Sequence, residues 1–296
     1  MHFPSLKELS ARGTRKWTVY DEDVIPLWIA ESDFLTAPAV KEAIQEAVDA
    51  ESFGYTPAPK ASELNAAVAD FYEMRYGWRP QHVFWIGDVV RGLLLGVQYF
   101  TEGPVIVPVP SYPPLLELPE TAGREKIETS LELADIERAF KAGAGSILLS
   151  HPYNPLGIVF DEDWLRGLVE LADKYDARIL SDEIHAPLVY EGRHIPLGAL
   201  SDRVITVTAT SKAWNTAGLK CAQVFFSNTA DVERWNSLTG VAKDGTGTLG
   251  VLAAEAAYRR GGEFLDEEIE YLKKTRDWLV EELPKRVPVS YTHLTL

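Results

Sequence analysis

The sequence predicts an α/β fold in which a mainly parallel sheet is covered by helices on both faces. Two observations predict it. From residue 83 onward, short apolar runs such as SILLS and ARILS alternate with amphipathic stretches such as DEDWLRGLVELADKYD. The apolar runs contain few polar residues, which is typical of strands buried on both faces rather than on one. Functional side chains are therefore expected where these strands end.

Helical patterns lie on both sides of this region. Residues 1–36 are rich in Pro, Trp and charge without a period, which predicts an irregular arm. Thr36 can cap a helix over PAVKEAIQEAVDA, and KASELNAAVADFYEMRYG repeats apolar residues at helical spacing. A long helix is predicted from near Glu263 to around Pro284, and VPVSYTHLTL after it has no helical period. We expect that the chain is a fragment or carries a foreign tail.

Composition indicates an ordinary soluble enzyme. The formal net charge is −15, from 44 acidic and 29 basic side chains, which would repel nucleic acid and an anionic bilayer. No stretch approaches the roughly 20 apolar residues that span a membrane. Cys221 is the single cysteine, so no intrachain disulfide can form, and a reducing cytoplasmic setting is expected.

Three polar segments follow apolar runs: SHPYNPLG at 150–157, SDEIH at 181–185 and TATSKAWNTAGLK at 208–220. Together they offer the groups that pyridoxal phosphate (PLP) chemistry needs, namely a lysine for an imine, an acid for the pyridine nitrogen and polar partners for the ring oxygen. The candidates are Lys212, Asp182, Asn154 and His185.

Each candidate also has an ordinary structural interpretation. Asp182 could pair with an arginine or cap a loop, and a lone strand-end lysine such as Lys212 is more often a surface residue. Asn154 could belong to a plain turn, and His185 could be a buried structural histidine. The four positions are more informative together than singly.

Other templates fit poorly. The Gly143 and Gly145 pair precedes a strand and lacks the third glycine of a dinucleotide fingerprint. The sequence contains no HExxH, paired-cysteine, Walker or G-x-S-x-G motif. Asp182, His185 and His194 form only a weak metal constellation, so no metal is expected.

The segments D-E-I-H, H-P-Y-N-P-L-G and S-K-A-W-N-T-A-G-L-K together resemble fold-type I PLP enzymes, specifically the MalY/PatB-like cystathionine β-lyases. The resemblance extends through R-G-T-R-K-W (12–17), L-W-I-A-E-S-D-F (27–34) and F-G-Y-T (53–56). It covers the chain from about residue 12 to about residue 285, in the family's order.

The resemblance implies the PLP-dependent transferase-like fold, with a seven-stranded, mainly parallel sheet, and a homodimer with shared active sites. It divides the chain into an N-terminal arm with part of a small domain (1–45), a large PLP-binding domain (46–265) and the start of an apparently truncated C-terminal small domain (266–296). Family members continue for about a hundred residues and supply from there an arginine for the substrate carboxylate.

The resemblance also implies roles by position. Lys212 would form the Schiff base and then carry the proton, Asp182 would pair with the pyridinium, and Tyr112 would stack over the ring. The remaining implied contacts are Asn154 and His185 to the phenolic oxygen; Val89, Val90, Ser211 and Lys220 to the phosphate; Tyr55 to the partner's cofactor; and Ala30 with Asn154 to the substrate. Without the resemblance, Tyr112 and Tyr55 would be assigned to core or interface packing.

Three positions depart from the family's pattern. Asp88 stands where a small residue usually precedes the two valines, Ala209 lacks a hydroxyl, and Lys220 replaces an arginine of aminotransferases, although a point charge can still bind phosphate.

The implied function is carbon–sulfur β-elimination from cystathionine or another cysteine S-conjugate, releasing thiol, pyruvate and ammonia. An aminotransferase is the first alternative, although the histidine of D-E-I-H favours a lyase. A PLP-binding protein without turnover is the second, because the carboxylate-binding arginine is missing.

Overall fold

The computed structural model describes residues 3–286. Within this range the centre of the molecule is a seven-stranded sheet with the strand order β1-β7-β6-β5-β4-β2-β3. The strands are β1 (His82–Ile86), β2 (Val105–Pro108), β3 (Lys126–Thr129), β4 (Ser146–Ser150), β5 (Arg178–Asp182), β6 (Val204–Ala209) and β7 (Ala222–Phe226). β7 is antiparallel to both of its neighbours, and the other pairs are parallel. The prediction of a seven-stranded, mainly parallel sheet is confirmed.

Adjacent residues of the central strands enter different hydrophobic clusters, which explains their continuous apolar runs. Leu148 and Leu180 pack with α5 (Val89–Phe100) and α6 (Pro113–Thr121) on one face of the sheet. Ile147, Leu149 and Ile179 pack with α7 (Leu133–Lys141) and α8 (Glu162–Lys174) on the other face. Successive side chains of a strand point to opposite faces, so a sheet covered on both sides requires apolar residues at every position.

The helices in the described part of the chain surround this sheet. They are α1 (Leu6–Ala11), α2 (Arg15–Thr18), α3 (Pro38–Asp49), α4 (Ala58–Tyr76), α5 (Val89–Phe100), α6 (Pro113–Thr121), α7 (Leu133–Lys141), α8 (Glu162–Lys174), α9 (Thr229–Ser237), α10 (Gly240–Lys243), α11 (Thr248–Arg260) and α12 (Gly262–Arg286). None of the helices within residues 3–286 has the length and apolar character to cross a membrane.

Two details of the helix prediction were wrong. The cap of α3 is Ala37 rather than Thr36, because Pro38 occupies the first helical turn and its fixed φ begins the helix there. The N-terminal arm is not wholly irregular, since α1 begins with a capping box in which Ser5 and Glu8 bond each other's backbone N–H groups. The predicted tail VPVSYTHLTL lies outside the described residues.

A third hydrophobic cluster joins α3, α4 and α11 and supports the loop after β6. Trp214 of that loop is fully buried in it, and its indole Nε1 donates to the carbonyl of Gly261 at 2.9 Å. Gly250 lets α11 approach the backbone of Leu219 closely, because a Cβ at position 250 would lie 2.2 Å from the carbonyl oxygen of Leu219. The loop after β6 is therefore tightly packed, both at Trp214 and where Leu219 meets α11.

Candidate active site

The carboxyl ends of β4, β5 and β6 lie side by side at one edge of the sheet. Ser150 pairs with Asp182, which in turn pairs with Val207. The backbone continues the alignment beyond the strands, since the N–H of His151 donates to the Asp182 carbonyl at 2.8 Å. The three polar segments predicted from the sequence therefore leave the sheet from adjacent positions.

Asp182 ends β5 and is 6% exposed. The backbone N–H of Ile184 donates to its Oδ1 at 3.1 Å. Burial raises the pKa of Asp182 to about 7, while the hydrogen bond from Ile184 and the positive charge of Lys212 oppose the shift. A carboxylate in such surroundings is stabilised by a cationic partner, which restores the interaction energy lost with water.

Lys212 lies on the loop that follows β6 and points toward the N-terminal arm. Its amine donates to the carbonyl oxygen of Ala30 at 2.7 Å. Burial lowers the pKa of Lys212, and the carboxylates of Asp182 and Glu31 act in the opposite direction. An amine whose charged form is disfavoured is a better nucleophile and a better proton acceptor near neutral pH.

His185 and Tyr112 lie within electrostatic range of these two residues. His185 is buried, its Nδ1 has no hydrogen-bond partner among the described residues, and burial together with the Lys212 charge lowers its pKa to about 4. Tyr112 is half-buried at the start of α6. Burial raises the pKa of Tyr112, and the carboxylates of Asp182 and Asp88 add to that effect. The site therefore holds a neutral imidazole and a protonated phenol.

Asn154 is half-buried in the loop after β4, and its backbone N–H donates to the Oγ of Ser150 at 3.0 Å. The adjacent Tyr153 is buried, and its hydroxyl donates to the carbonyl of Pro108 at 2.7 Å. These two bonds fix the loop against β4 and β2, so the position of Asn154 is set by the sheet.

The start of α5 is occupied by Asp88. Its Oδ1 accepts from the N–H of Arg91 at 2.8 Å, and its Oδ2 lies 3.1 Å from the amine of Lys220. Val89 and Val90 form the first turn, where helical N–H groups lack intrahelical partners and suit an anion. Two residues singled out in the sequence, Asp88 and Lys220, are thus paired directly.

Three further predicted residues differ in their surroundings. Ala30 is brought to Lys212 by the N-terminal arm, and Ser211 is half-buried beside Lys212 in the chain. Tyr55 is fully exposed and lines a separate cavity of about 670 Å³ together with Phe84, Trp85 and Trp235. Neither Lys212 nor Asp182 is among the described residues that line this cavity.

Sequence reasoning missed a buried polar cluster behind Asp182. Glu183 is fully buried, its Oε2 lies 2.9 Å from the Nε2 of His194, and its Oε1 accepts from the N–H of Leu197 at 3.1 Å. The ring of His194 lies 4.4 Å from that of His151. Burial raises the pKa of Glu183 to about 7 and lowers those of both histidines to about 3.

The cluster could not be read from the sequence, because its members come from three separate loops. It joins the corner after β5 to the segment at residues 194–197, which fixes the backbone that carries Asp182 and His185. Among the described residues no group of three or more His, Cys, Asp or Glu side chains is arranged to hold a metal ion.

Comparison with known families gives one match that covers most of the chain. The profile of the family "Aminotransferase class I and II" matches residues 22–295. A protein described as cystathionine β-lyase from Corynebacterium glutamicum is 54% identical over 296 residues, which is 96% of this chain and 80% of that protein.

Solved structures give a consistent result. A structure from Corynebacterium diphtheriae, described as a PLP-dependent β-cystathionase, superposes with a TM-score of 0.96 at 51% identity and covers 100% of this chain and 81% of its own. A PLP-bound C–S lyase from Staphylococcus hominis superposes with a TM-score of 0.85 at 26% identity, covering 92% of this chain and 74% of its own.

Proposed function

The chain belongs to the aminotransferase class I and II family, and from that premise we propose that it is a PLP-dependent carbon–sulfur β-lyase. Its substrate is cystathionine or a related cysteine S-conjugate, and its products are a thiol, pyruvate and ammonia. The similarity to cystathionine β-lyases supports the reaction type. The observation that carries the proposal is the position of two groups: the carboxylate of Asp182, 6% exposed at the end of β5, and the partly buried amine of Lys212 on the loop after the neighbouring strand β6.

The residues of the site fit PLP. The buried Asp182 carboxylate suits the protonated pyridine nitrogen, and the unpartnered Nδ1 of His185 offers a polar contact for the ring oxygen together with Asn154. Tyr112 supplies an aromatic face. The N–H groups of Val89 and Val90, helped by Ser211 and Lys220, would hold the phosphate at the start of α5.

Bound in this site, PLP supplies an electron sink for the bond that breaks at the substrate Cα. Lys212 accepts the proton from that carbon, because its lowered pKa leaves the amine more readily uncharged. The carbonyl of Ala30 holds the amine in place through the 2.7 Å hydrogen bond. The segment around Ala30 and the amide of Asn154 would line the site of the substrate carboxylate.

We further propose a cytoplasmic homodimer with shared active sites. Tyr55 is fully exposed and lies apart from Lys212 of its own chain, as expected of a side chain that reaches the cofactor of a partner. Aromatic residues around it, including Phe53, Phe84 and Trp85, line the same cavity and offer an interface of low polarity. The single cysteine, buried and free, suits a reducing compartment.

The proposal is tested by incubating the purified chain with PLP and cystathionine while pyruvate and free thiol are measured. Equimolar release of both, absent from Lys212→Ala, is the expected result. Formation of pyridoxamine phosphate and an oxo acid would identify an aminotransferase instead. A shift in the visible spectrum on adding substrate, with no product, would identify a protein that binds PLP without turnover.

A further inference from the structure

Residues 28–34 cross in front of Lys212, and we call this segment the strap. Side chains of the N-terminal arm hold the strap from one side. Lys16 donates to the Glu31 carbonyl at 2.9 Å and pairs with the Asp33 carboxylate at 2.7 Å. Because both partners belong to the same arm, these bonds fix the shape of the strap but not its position relative to Lys212.

Asn215 ties the strap to the body of the protein. The N–H of Ser32 donates to its Oδ1 at 3.2 Å, and its own Nδ2 donates to the carbonyl of Ser32 at 2.9 Å. The oxygen and the nitrogen of the side-chain amide are thus both hydrogen-bonded to the backbone of one residue, 183 positions away in the chain. Such a pair of bonds fixes both distance and orientation, whereas a single bond would permit rotation.

The backbone of Asn215 adopts the left-handed conformation, with φ at 55°. Asparagine enters this region more readily than other non-glycine residues, yet the conformation is still unfavourable and persists only where the surroundings impose it. Here the conformation accompanies the two bonds to Ser32, which indicates that the position serves a contact rather than a turn alone.

The loop that carries Asn215 is rigid. The hydroxyls of Thr210 and Thr216 are hydrogen-bonded at 2.8 Å, and both side chains are buried. Trp214 between them is fully buried and donates to the carbonyl of Gly261. Lys212 and Asn215 lie within this braced segment, so a strap held by Asn215 is also held at a fixed distance from Lys212.

We propose that Asn215 is a positioning residue for the elimination reaction, in which its amide clamps the Ser32 backbone and so keeps the Ala30 carbonyl within hydrogen-bond distance of the Lys212 amine. This inference rests on the proposed function, in which Lys212 carries the proton and Asn215 would position it. Displacement of a proton-transfer group by about 1 Å can reduce the rate on the order of 100-fold, so such a clamp has a measurable effect.

Three variants distinguish the effect of losing the Asn215 bonds from a general loss of protein stability. Asn215→Gly removes both bonds while tolerating the left-handed backbone. Asn215→Asp keeps the acceptor for the Ser32 N–H but loses the donor to its carbonyl. Ser32→Ala is the matched control, because the clamp binds the backbone of Ser32 and only its side-chain contacts, with the N–H of Phe34 and the carboxyl of Glu268, are lost.

The first measurement is hydrogen exchange of the strap in the protein without cofactor, followed by mass spectrometry. We expect Asn215→Gly to raise exchange of residues 30–32 about tenfold or more. Ser32→Ala loses only side-chain contacts, with the Phe34 N–H and with Glu268, and should raise exchange of the same residues much less, with the central strands unchanged in both. The second is turnover with cystathionine deuterated at Cα. Asn215→Gly should lower kcat about tenfold or more and raise the deuterium isotope effect, because proton transfer to Lys212 becomes slower.

Unchanged exchange of the strap in Asn215→Gly would overturn the proposal. So would equal effects of Asn215→Gly and Ser32→Ala, or a loss of kcat with an unaltered isotope effect, since either result would assign Asn215 to stability alone. Asn215→Asp should fall between the wild type and Asn215→Gly in both measurements. If the wild type releases no pyruvate, the proposed function fails, and the exchange result alone then decides whether the clamp exists.

Discussion

The Nζ atom of Lys212 lies 2.7 Å from the carbonyl oxygen of Ala30, although 182 residues separate them in the chain. The contact gives the amine one defined direction in a site where burial disfavours its charge. A lysine held this way keeps its lone pair available when it is uncharged, because it uses an N–H group to donate to Ala30.

Lys212→Ala should reduce pyruvate release at least about 10³-fold, because the variant lacks the residue proposed both to attach the cofactor and to carry the proton. Lys141→Ala, an exposed lysine on α7, is the control and should keep full activity. Initial rates and the visible spectrum of the PLP-loaded proteins provide the measurement. Comparable rates for the two variants would exclude Lys212 from the reaction.

Asp182→Asn should lower kcat by about 100-fold or more, since an amide cannot stabilise a protonated pyridine nitrogen. The same change should stabilise the cofactor-free protein at pH 8. The pKa of Asp182 is raised from 3.8 to about 7 in the folded state, so the protein loses stability as the pH rises between these values and stays less stable above them. Asparagine removes this effect.

The expected gain in unfolding free energy for Asp182→Asn is about 1–4 kcal/mol at pH 8 and close to zero at pH 4, where the carboxyl is protonated in the folded state. Urea denaturation at the two pH values measures it. If the gain in unfolding free energy over the wild type is not larger at pH 8 than at pH 4, the carboxyl of Asp182 is not desolvated in the folded state.

His185 should make the cofactor-free protein less stable in acid. Its pKa is lowered from 6.5 to about 4 by burial, so between these values the unfolded chain binds a proton that the folded chain does not. Stability contributed by the neutral imidazole is present above pH 6.5 and is lost as the pH falls toward 4. In His185→Asn, the loss of unfolding free energy between pH 6.5 and pH 4 should be smaller than in the wild type by about 2–3 kcal/mol.

Denaturation of the wild type and His185→Asn at a series of pH values between 4 and 7 tests this prediction. Parallel profiles for the two proteins would show that His185 does not titrate differently on folding.

Asp88→Ser should strengthen PLP binding. The carboxylate of Asp88 lies 3.1 Å from the Lys220 amine at the start of α5, so it competes for the charge that would bind phosphate. Serine keeps a cap for the helix and frees Lys220, and a gain of about fivefold in affinity is expected for one exposed charge pair. Equilibrium titration with PLP at low salt measures it, and unchanged or weaker binding would place the phosphate elsewhere.

Gly250→Ala should destabilise the protein by about 1–3 kcal/mol, because the new Cβ would lie 2.2 Å from the Leu219 carbonyl oxygen. Helix propensity alone would make alanine stabilising in α11. The sign of the change in unfolding free energy therefore shows whether the steric clash or the helix propensity is larger. Gly218→Ala, where a Cβ meets nothing within 4 Å, is the control. Thermal unfolding of both variants is the measurement.

Much of the fold followed from the distribution of apolar residues along the chain. The apolar runs SILLS, RILSD and VITVTA are strands, and they are buried along nearly their whole length. The N-terminal arm was harder, since α1 and α2 are too short to carry a helical period and depend on contacts such as the capping box at Ser5. The Thr36 cap was wrong because Pro38, two residues later, sets the helix start and makes Ala37 the cap.

The sequence by itself indicated which residues could carry the chemistry, because Asp182 ends one apolar run and Lys212 lies three residues after another. It could not determine what these residues touch. The Ala30 carbonyl at Lys212, the Asn215 amide on Ser32, and the His194 ring on Glu183 all join parts of the chain whose separation leaves no local pattern. Hydrophobic burial is encoded residue by residue, whereas a directed hydrogen bond between distant segments exists only after the sheet and its loops have packed.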